Sequence, residues 1–66
     1  MSIADRICNL LREQDMSVSE LSRRSGVSRT AIDNIMIGYS KPGISTKERL
    51  ASGFGITVAE MLTGVS

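Results

Sequence analysis

Residues 17–36, SVSELSRRSGVSRTAIDNIM, hold two short helical patterns that meet at Gly26. In the first, Ser17 and Glu20 have the spacing of a capping box: the hydroxyl accepts the backbone N–H three residues on, and the carboxylate reaches back to the cap. Val18 and Leu21 begin an apolar stripe, and Gly26 supplies the left-handed conformation that favours a helix C-terminus. In the second pattern Ser28 is the N-cap, and Ile32, Ile35 and Met36 recur at helical intervals up to Gly38. Leu21, Val27, Ile32 and Ile35 are the expected buried contacts of the pair, with Ser22 small where the helices approach. Facing away from them, Arg29, Thr30, Asp33 and Asn34 lie along the outer face of the second helix.

The flanks carry the same helical punctuation. Ile3, Ile7, Leu10 and Leu11 predict an amphipathic first helix over about residues 2–14. After Gly38, the stretch Tyr39–Ile44 reads as a loop, because Pro42 disfavours helix at Lys41 and Gly43 loosens the backbone beyond it. Ser45 with Glu48 then has the capping-box spacing for a fourth helix through Leu50, Ala51 and Phe54 to Gly55. Thr57 with Glu60 repeats it for a fifth through Val58, Met61 and Leu62 to Gly64. No alternating strand pattern, repeat or interdomain linker is visible. The chain reads as all-α, one domain of five short helices over residues 1–66.

Composition narrows the function classes. Sixty-six residues bury only about 60% of the surface their unfolded form exposes. With one Tyr and one Phe, the core must be built from Ile, Leu, Val and Met. Cys8 stands alone and there is no histidine, so neither an internal disulfide nor a Cys–His metal or catalytic set is available. Cys8 is expected to fill the edge of the core. Without a convergent nucleophile, base or metal set, the chain is not expected to be an enzyme. No cofactor or small-molecule ligand is indicated. No signal peptide and no apolar run of roughly 20 residues is present, so no membrane association is expected and a cytoplasmic location is the default.

Net charge is only +1, but its distribution is uneven. Between Leu21 and Leu50, Arg23, Arg24, Arg29, Lys41, Lys47 and Arg49 face only Asp33 and Glu48. Elsewhere Arg6 and Arg12 are outnumbered by Asp5, Glu13, Asp15, Glu20 and Glu60. One basic surface on an otherwise acidic domain is the footprint of a nucleic-acid partner, and a chance asymmetry of solvated charges is the plain alternative.

Two helices packed through a tight glycine turn, with a polar outer face on the second, describe a helix-turn-helix. A simple helical hairpin in a small bundle would also want the glycine. The residue types on the outer face bear on this choice. Arg29 can make a bidentate contact to guanine O6 and N7, Asn34 to adenine N6 and N7, and the Thr30 methyl can touch that of thymine.

With these residues in place, nearly all of residues 2–64 resembles the Cro/cI-like (lambda-repressor-like, XRE) helix-turn-helix family. The resemblance rests on the first helix, the SVSELSRRSGVSRTAIDNI core, the glycine after the third helix and the closing ERLASGFGITVAEMLTG. It implies a compact five-helix domain that binds operator-like double-stranded DNA and regulates transcription. It places Arg29, Thr30 and Asn34 where the family reads base edges. It places Val18 and Ser19, Ser28, and the loop residues Tyr39, Ser40 and Lys41 where the family meets phosphates. Arg23 is a further candidate for a phosphate contact, although an exposed arginine needs no such role. The chain departs from the family at Val18, where a DNA-bonding glutamine is common, so only backbone is expected to anchor there. It departs again at Ser22 and Ser25, in place of residues more usually alanine or apolar. A buried Ser25 hydroxyl needs a partner, for which a carbonyl of the preceding turn is a candidate.

The function expected from sequence is a sequence-specific transcriptional regulator, a repressor acting by operator occupancy as a homodimer. Ile56 and Val58 are candidates for the dimer contact, with most of their area expected in the core. No separate dimerisation or ligand-sensing domain is expected within 66 residues. The competing reading is a protein-interaction module (antitoxin, antirepressor or adaptor) built on the same bundle.

Overall fold

The computed structural model describes all 66 residues and contains helices only. In chain order these are α1 (Ile3–Glu13), α2 (Val18–Ser25), α3 (Arg29–Met36), α4 (Ile44–Phe54) and α5 (Val58–Met61). Each helix contributes to one core. Ile7, Leu10 and Leu11 come from α1, Leu21 from α2, Ile32 and Ile35 from α3, Leu50, Ala51 and Phe54 from α4, and Met61 from α5. The expected contacts of the central pair, including Val27, are all buried. Cys8 is half-buried.

Local chemistry sets the helix ends, and here the structure corrects the sequence reading twice. Ser17 does cap α2, accepting the N–H of Glu20 at 3.1 Å. The Glu20 carboxylate does not complete the box. It turns instead to the guanidinium groups of Arg24, at 2.9 Å, and Arg23, at 3.8 Å, one turn further along α2. The second correction is at α4, which starts two residues earlier than expected, so Ile44 belongs to the helix and not to the loop. Gly43 is its N-cap with no side-chain bond, so Ser45 lies inside the first turn and Ser45–Glu48 forms no box. The Thr57–Glu60 box is complete, with bonds of 3.0 and 3.1 Å. A further full box, not foreseen from the sequence, joins Ser2 to Asp5 at the start of α1.

α1 ends by reversing into Ser17. Asp15 takes a left-handed conformation (φ 51°), and the N–H of Met16 bonds the carbonyl of Leu11 at 2.8 Å, which turns Met16 into the core. Two long side chains then tie α1 to the carbonyl ends of its neighbours. Arg6 donates from Nε to Met61 O and from Nη2 to Glu60 O, both at 3.0 Å, closing α5. Gln14 Nε2 donates to Phe54 O at 2.9 Å, closing α4. Carbonyls in a last turn have no intrahelical donor, so the bonds to Met61 O and Phe54 O satisfy otherwise open acceptors, while Glu60 O also accepts the N–H of Thr63 at 3.3 Å.

α2 and α4 pack most closely at Gly53. A Cβ built there would lie 2.9 Å from Ser25 Cβ, 3.1 Å from Leu21 Cδ1 and 3.2 Å from Ser25 Cα. Helix propensity alone favours alanine over glycine by about 1 kcal/mol. The Ser25 backbone cannot yield to the added methyl, so overpacking wins, and Gly53→Ala is expected to lower unfolding stability by about 1–2 kcal/mol. Gly43 has ordinary extended backbone and open space around its Cα. Gly43→Ser, which supplies the missing cap and reduces unfolded-chain freedom, is expected to raise stability by about 0.5 kcal/mol. Urea midpoints at unchanged m-value measure both.

The Ser2 N–H, and after it the Ser2 hydroxyl, favours the ionised form of Asp5 and holds its carboxyl below the ordinary 3.8. A depressed carboxyl contributes stability above its unfolded pKa, and that contribution is lost as pH falls through the folded value. Carboxyl NMR titration should find the Asp5 midpoint below 3.8, and Ser2→Ala should return it toward that value.

Candidate nucleic-acid interface

The turn between α2 and α3 is fixed from both sides of one residue. Ser22 Oγ donates to the carbonyl of Val27 at 2.7 Å, and the N–H of Val27 donates to Ser25 Oγ at 3.1 Å. Gly26, just before it, adopts φ 75° and donates its N–H to Ser22 O at 3.0 Å. The two serines that depart from the family pattern therefore close the turn together. The partner of Ser25 is the Val27 N–H ahead of it rather than a carbonyl behind. No buried side-chain polar atom lacks a partner.

Val27 is buried, and the next residue, Ser28, caps α3 by accepting the N–H of Ala31 at 3.1 Å. That bond uses an oxygen lone pair and leaves the Ser28 hydroxyl proton free. Arg29 and Thr30 are exposed on the first turn of α3, and Asn34, one turn on, is half-buried. Ala31, Ile32, Ile35 and Met36 face inward. The face expected to read bases is therefore a solvated one.

The structure brings Arg29 to the start of α2. Its Nη1 donates to Ser19 Oγ at 2.8 Å, which sets the first turns of α2 and α3 side by side. The backbone N–H groups of Val18 and Ser19 precede the first intrahelical acceptor and have no partner within the helix. Around them Ser17, Ser19, Glu20 and Arg23 line a shallow depression. Unpaired N–H groups and the helix dipole make such a place favourable for an anion. The Val18 side chain packs against the core, so its backbone alone faces out. Arg23 is well exposed but shares Glu20 with Arg24, which reduces the positive charge at this end of α2.

Tyr39, Ser40 and Lys41 are exposed beyond the far end of α3. The N–H groups of Tyr39 and Ser40 both turn back to Asn34 O, at 2.9 and 3.2 Å. Tyr39 and Ser40 therefore have only their side chains left to donate to a partner there. Lys41 instead lines a depression with Ser2, Pro42 and Lys47, apart from the α2 group. No group of three or more His, Cys, Asp or Glu stands together to hold a metal ion. No helix is long and apolar enough to cross a membrane.

Sequence reasoning missed three features of this surface: the Arg29–Ser19 bond, the diversion of Glu20 to Arg24, and the two hydrogen bonds by which Ser22 and Ser25 hold Val27. The last was partly legible, since polar residues in place of apolar ones beside a turn require partners. Ser25→Ala leaves the buried Val27 N–H without an acceptor. It is expected to cost about 1–3 kcal/mol of stability in chemical denaturation, and to speed exchange of the Val27 amide proton relative to those of α1.

A helix-turn-helix family model matches residues 9–61. The chain is also similar to the HTH-type transcriptional regulator DdrOP3 of Deinococcus deserti, with 28% identity over 65 residues. That match covers 98% of this chain and 50% of the relative, so the chain spans about half the length of that regulator. With the match running from within α1 to the end of α5, the chain belongs to the Cro/cI-like helix-turn-helix family.

Proposed function

We propose that this chain is a double-stranded-DNA-binding transcription regulator that acts by occupying an operator. The observation that carries this reading is the joined α2–α3 edge. Arg29 and Thr30 stand exposed, with the half-buried Asn34 one turn on, beside an open helix N-terminus, and a hydrogen bond ties Arg29 to it. Base-reading and phosphate-anchoring residue types thus lie next to each other, as a protein that reads a groove from one backbone needs. Arg29, Thr30 and Asn34 are the proposed base contacts. Val18 and Ser19 by backbone, and Ser28, Arg23, Tyr39, Ser40 and Lys41 by side chain, are the proposed phosphate contacts.

The domain extends 22–26 Å along its principal axes, less than one turn of DNA at about 34 Å. One copy therefore covers a half-site, which supports action as a two-fold dimer with repression by occlusion. Ile56 and Val58 pack beside the core and line a shallow depression at the α4–α5 junction with Ala51, Ser52 and Gly55. Their remaining exposed area is the proposed dimer contact.

A protein-interaction module has one observation in its favour: Ile37 and Ile44 are 76% and 75% exposed. Both lie past the C-terminal end of α3, away from Arg29 and Thr30, so the reading face itself stays polar. DNA binding is the better-supported function.

Selection from a random duplex library, followed by titration at several salt concentrations, tests the proposal. An enriched site with salt-dependent affinity is expected. Absence of both would move the assignment to the interaction module. On the selected site, Arg29→Ala should weaken binding by about 1–3 kcal/mol and relax preference at one base pair. Lys41→Ala should weaken cognate and random DNA alike, and make the salt slope shallower by about one unit.

A further inference from the structure

The bond from Arg29 to Ser19 displaces an interaction that the sequence would make locally. Asp33 lies four residues after Arg29 on the same helix, the spacing at which opposite charges pair. No Arg29–Asp33 ion pair forms; the ion pairs of the chain are the two of Glu20. The guanidinium points across the turn to Ser19 instead, at 2.8 Å. This is the only side-chain-to-side-chain hydrogen bond between two helices; the other, Arg12 to Asn9, lies within α1.

From this geometry we infer that Ser19 is a positioning residue for base recognition. Its oxygen accepts one of the five guanidinium N–H groups, which leaves the rest of the fork free. It also keeps the guanidinium away from the Asp33 carboxylate, which would otherwise neutralise it and draw it down the helix. The Ser19 proton is not used in the bond to Arg29 and remains available to a phosphate oxygen. Base reading by Arg29 and backbone anchoring at α2 therefore act as one unit. The inference rests on the DNA-reading proposal and adds a specificity role that phosphate contact alone does not give.

The consequence is specific to this chain. When Ser19 is lost, Arg29 relaxes toward Asp33, and discrimination falls at the base pair that Arg29 reads. Removing the Asp33 charge in the same protein then restores part of it. Ser19, Arg29 and Asp33 are exposed and the α2 cap is Ser17, so these changes remove no core side chain and no helix cap.

The test compares wild type, Ser19→Ala, Ser19→Thr, Arg29→Ala, Asp33→Asn and the doubles Ser19→Ala/Arg29→Ala and Ser19→Ala/Asp33→Asn. Each is titrated with the selected duplex, with the same duplex altered at the Arg29-dependent base pair, and with random duplex. Ser19→Ala should reduce the ratio of cognate to altered affinity by about three- to tenfold, the scale of one hydrogen bond. Ser19→Thr should keep the ratio, Arg29→Ala should make Ser19→Ala silent in it, and Asp33→Asn should recover part of the Ser19→Ala loss. Equal loss on all three duplexes, or multiplying losses in the Ser19/Arg29 double, would overturn the positioning role while leaving the DNA-reading proposal standing. A wild type without sequence preference would overturn both.

Discussion

The contact of α2 with α4 at Gly53 sets where the rest of this domain can stand. There is no room for a Cβ: the nearest atoms belong to Leu21, in the core, and to Ser25, at the last turn of α2. Ser25 in turn accepts the N–H of Val27, and Val27 is held again through its carbonyl by Ser22. The end of α2 is thus pressed onto α4 on one side and bonded to the start of α3 on the other. A shift of α4 at Gly53 would carry through two hydrogen bonds to Ser28 and Arg29. Packing is transmitted this way because interiors are close-packed and yield little.

Much of this frame is legible in the sequence, because it rests on local patterns with local causes. Apolar spacing locates all five helices, and glycines at 26, 38 and 55 mark ends that take positive φ. The failures fall where a short pattern competes with something outside it. Ser17-x-x-Glu20 has the letters of a capping box, but Arg24 lies four residues after Glu20, and a charged partner attracts the carboxylate more strongly than a cap N–H. Ser45-x-x-Glu48 has them too, yet α4 begins at Ile44, with Gly43 taking the cap position in ordinary extended backbone. Ser2–Asp5 escapes the pattern because the shorter aspartate stands where Glu or Gln is the usual partner.

The proposed site was legible as residue types and not as an arrangement. Arg29, Thr30 and Asn34 could be placed on one helix face by periodicity alone. That Arg29 reaches Ser19, ten residues away on another helix, depends on how tightly the turn closes. Side-chain direction across a turn is set by packing, and a single sequence carries little information about it. The same limit applies to Tyr39 and Ser40, whose backbone groups bond Asn34 rather than staying open.

Charge explains why such an arrangement matters. The net charge is +1, and Glu20 sits at the same end of α2 as the proposed phosphate contacts. Non-specific affinity for DNA grows with the number of phosphates neutralised, so a domain with this balance gains little from unspecific attraction. On the proposed reading, its ability to choose a site must come from a few side chains held in the binding geometry before contact. An arginine free to pair with Asp33 would first have to leave that partner and lose rotamer freedom. Held by Ser19, much of that ordering is already present in the folded chain. Serines at 19, 22 and 25, small and able both to donate and to accept, do here what longer polar side chains do less rigidly.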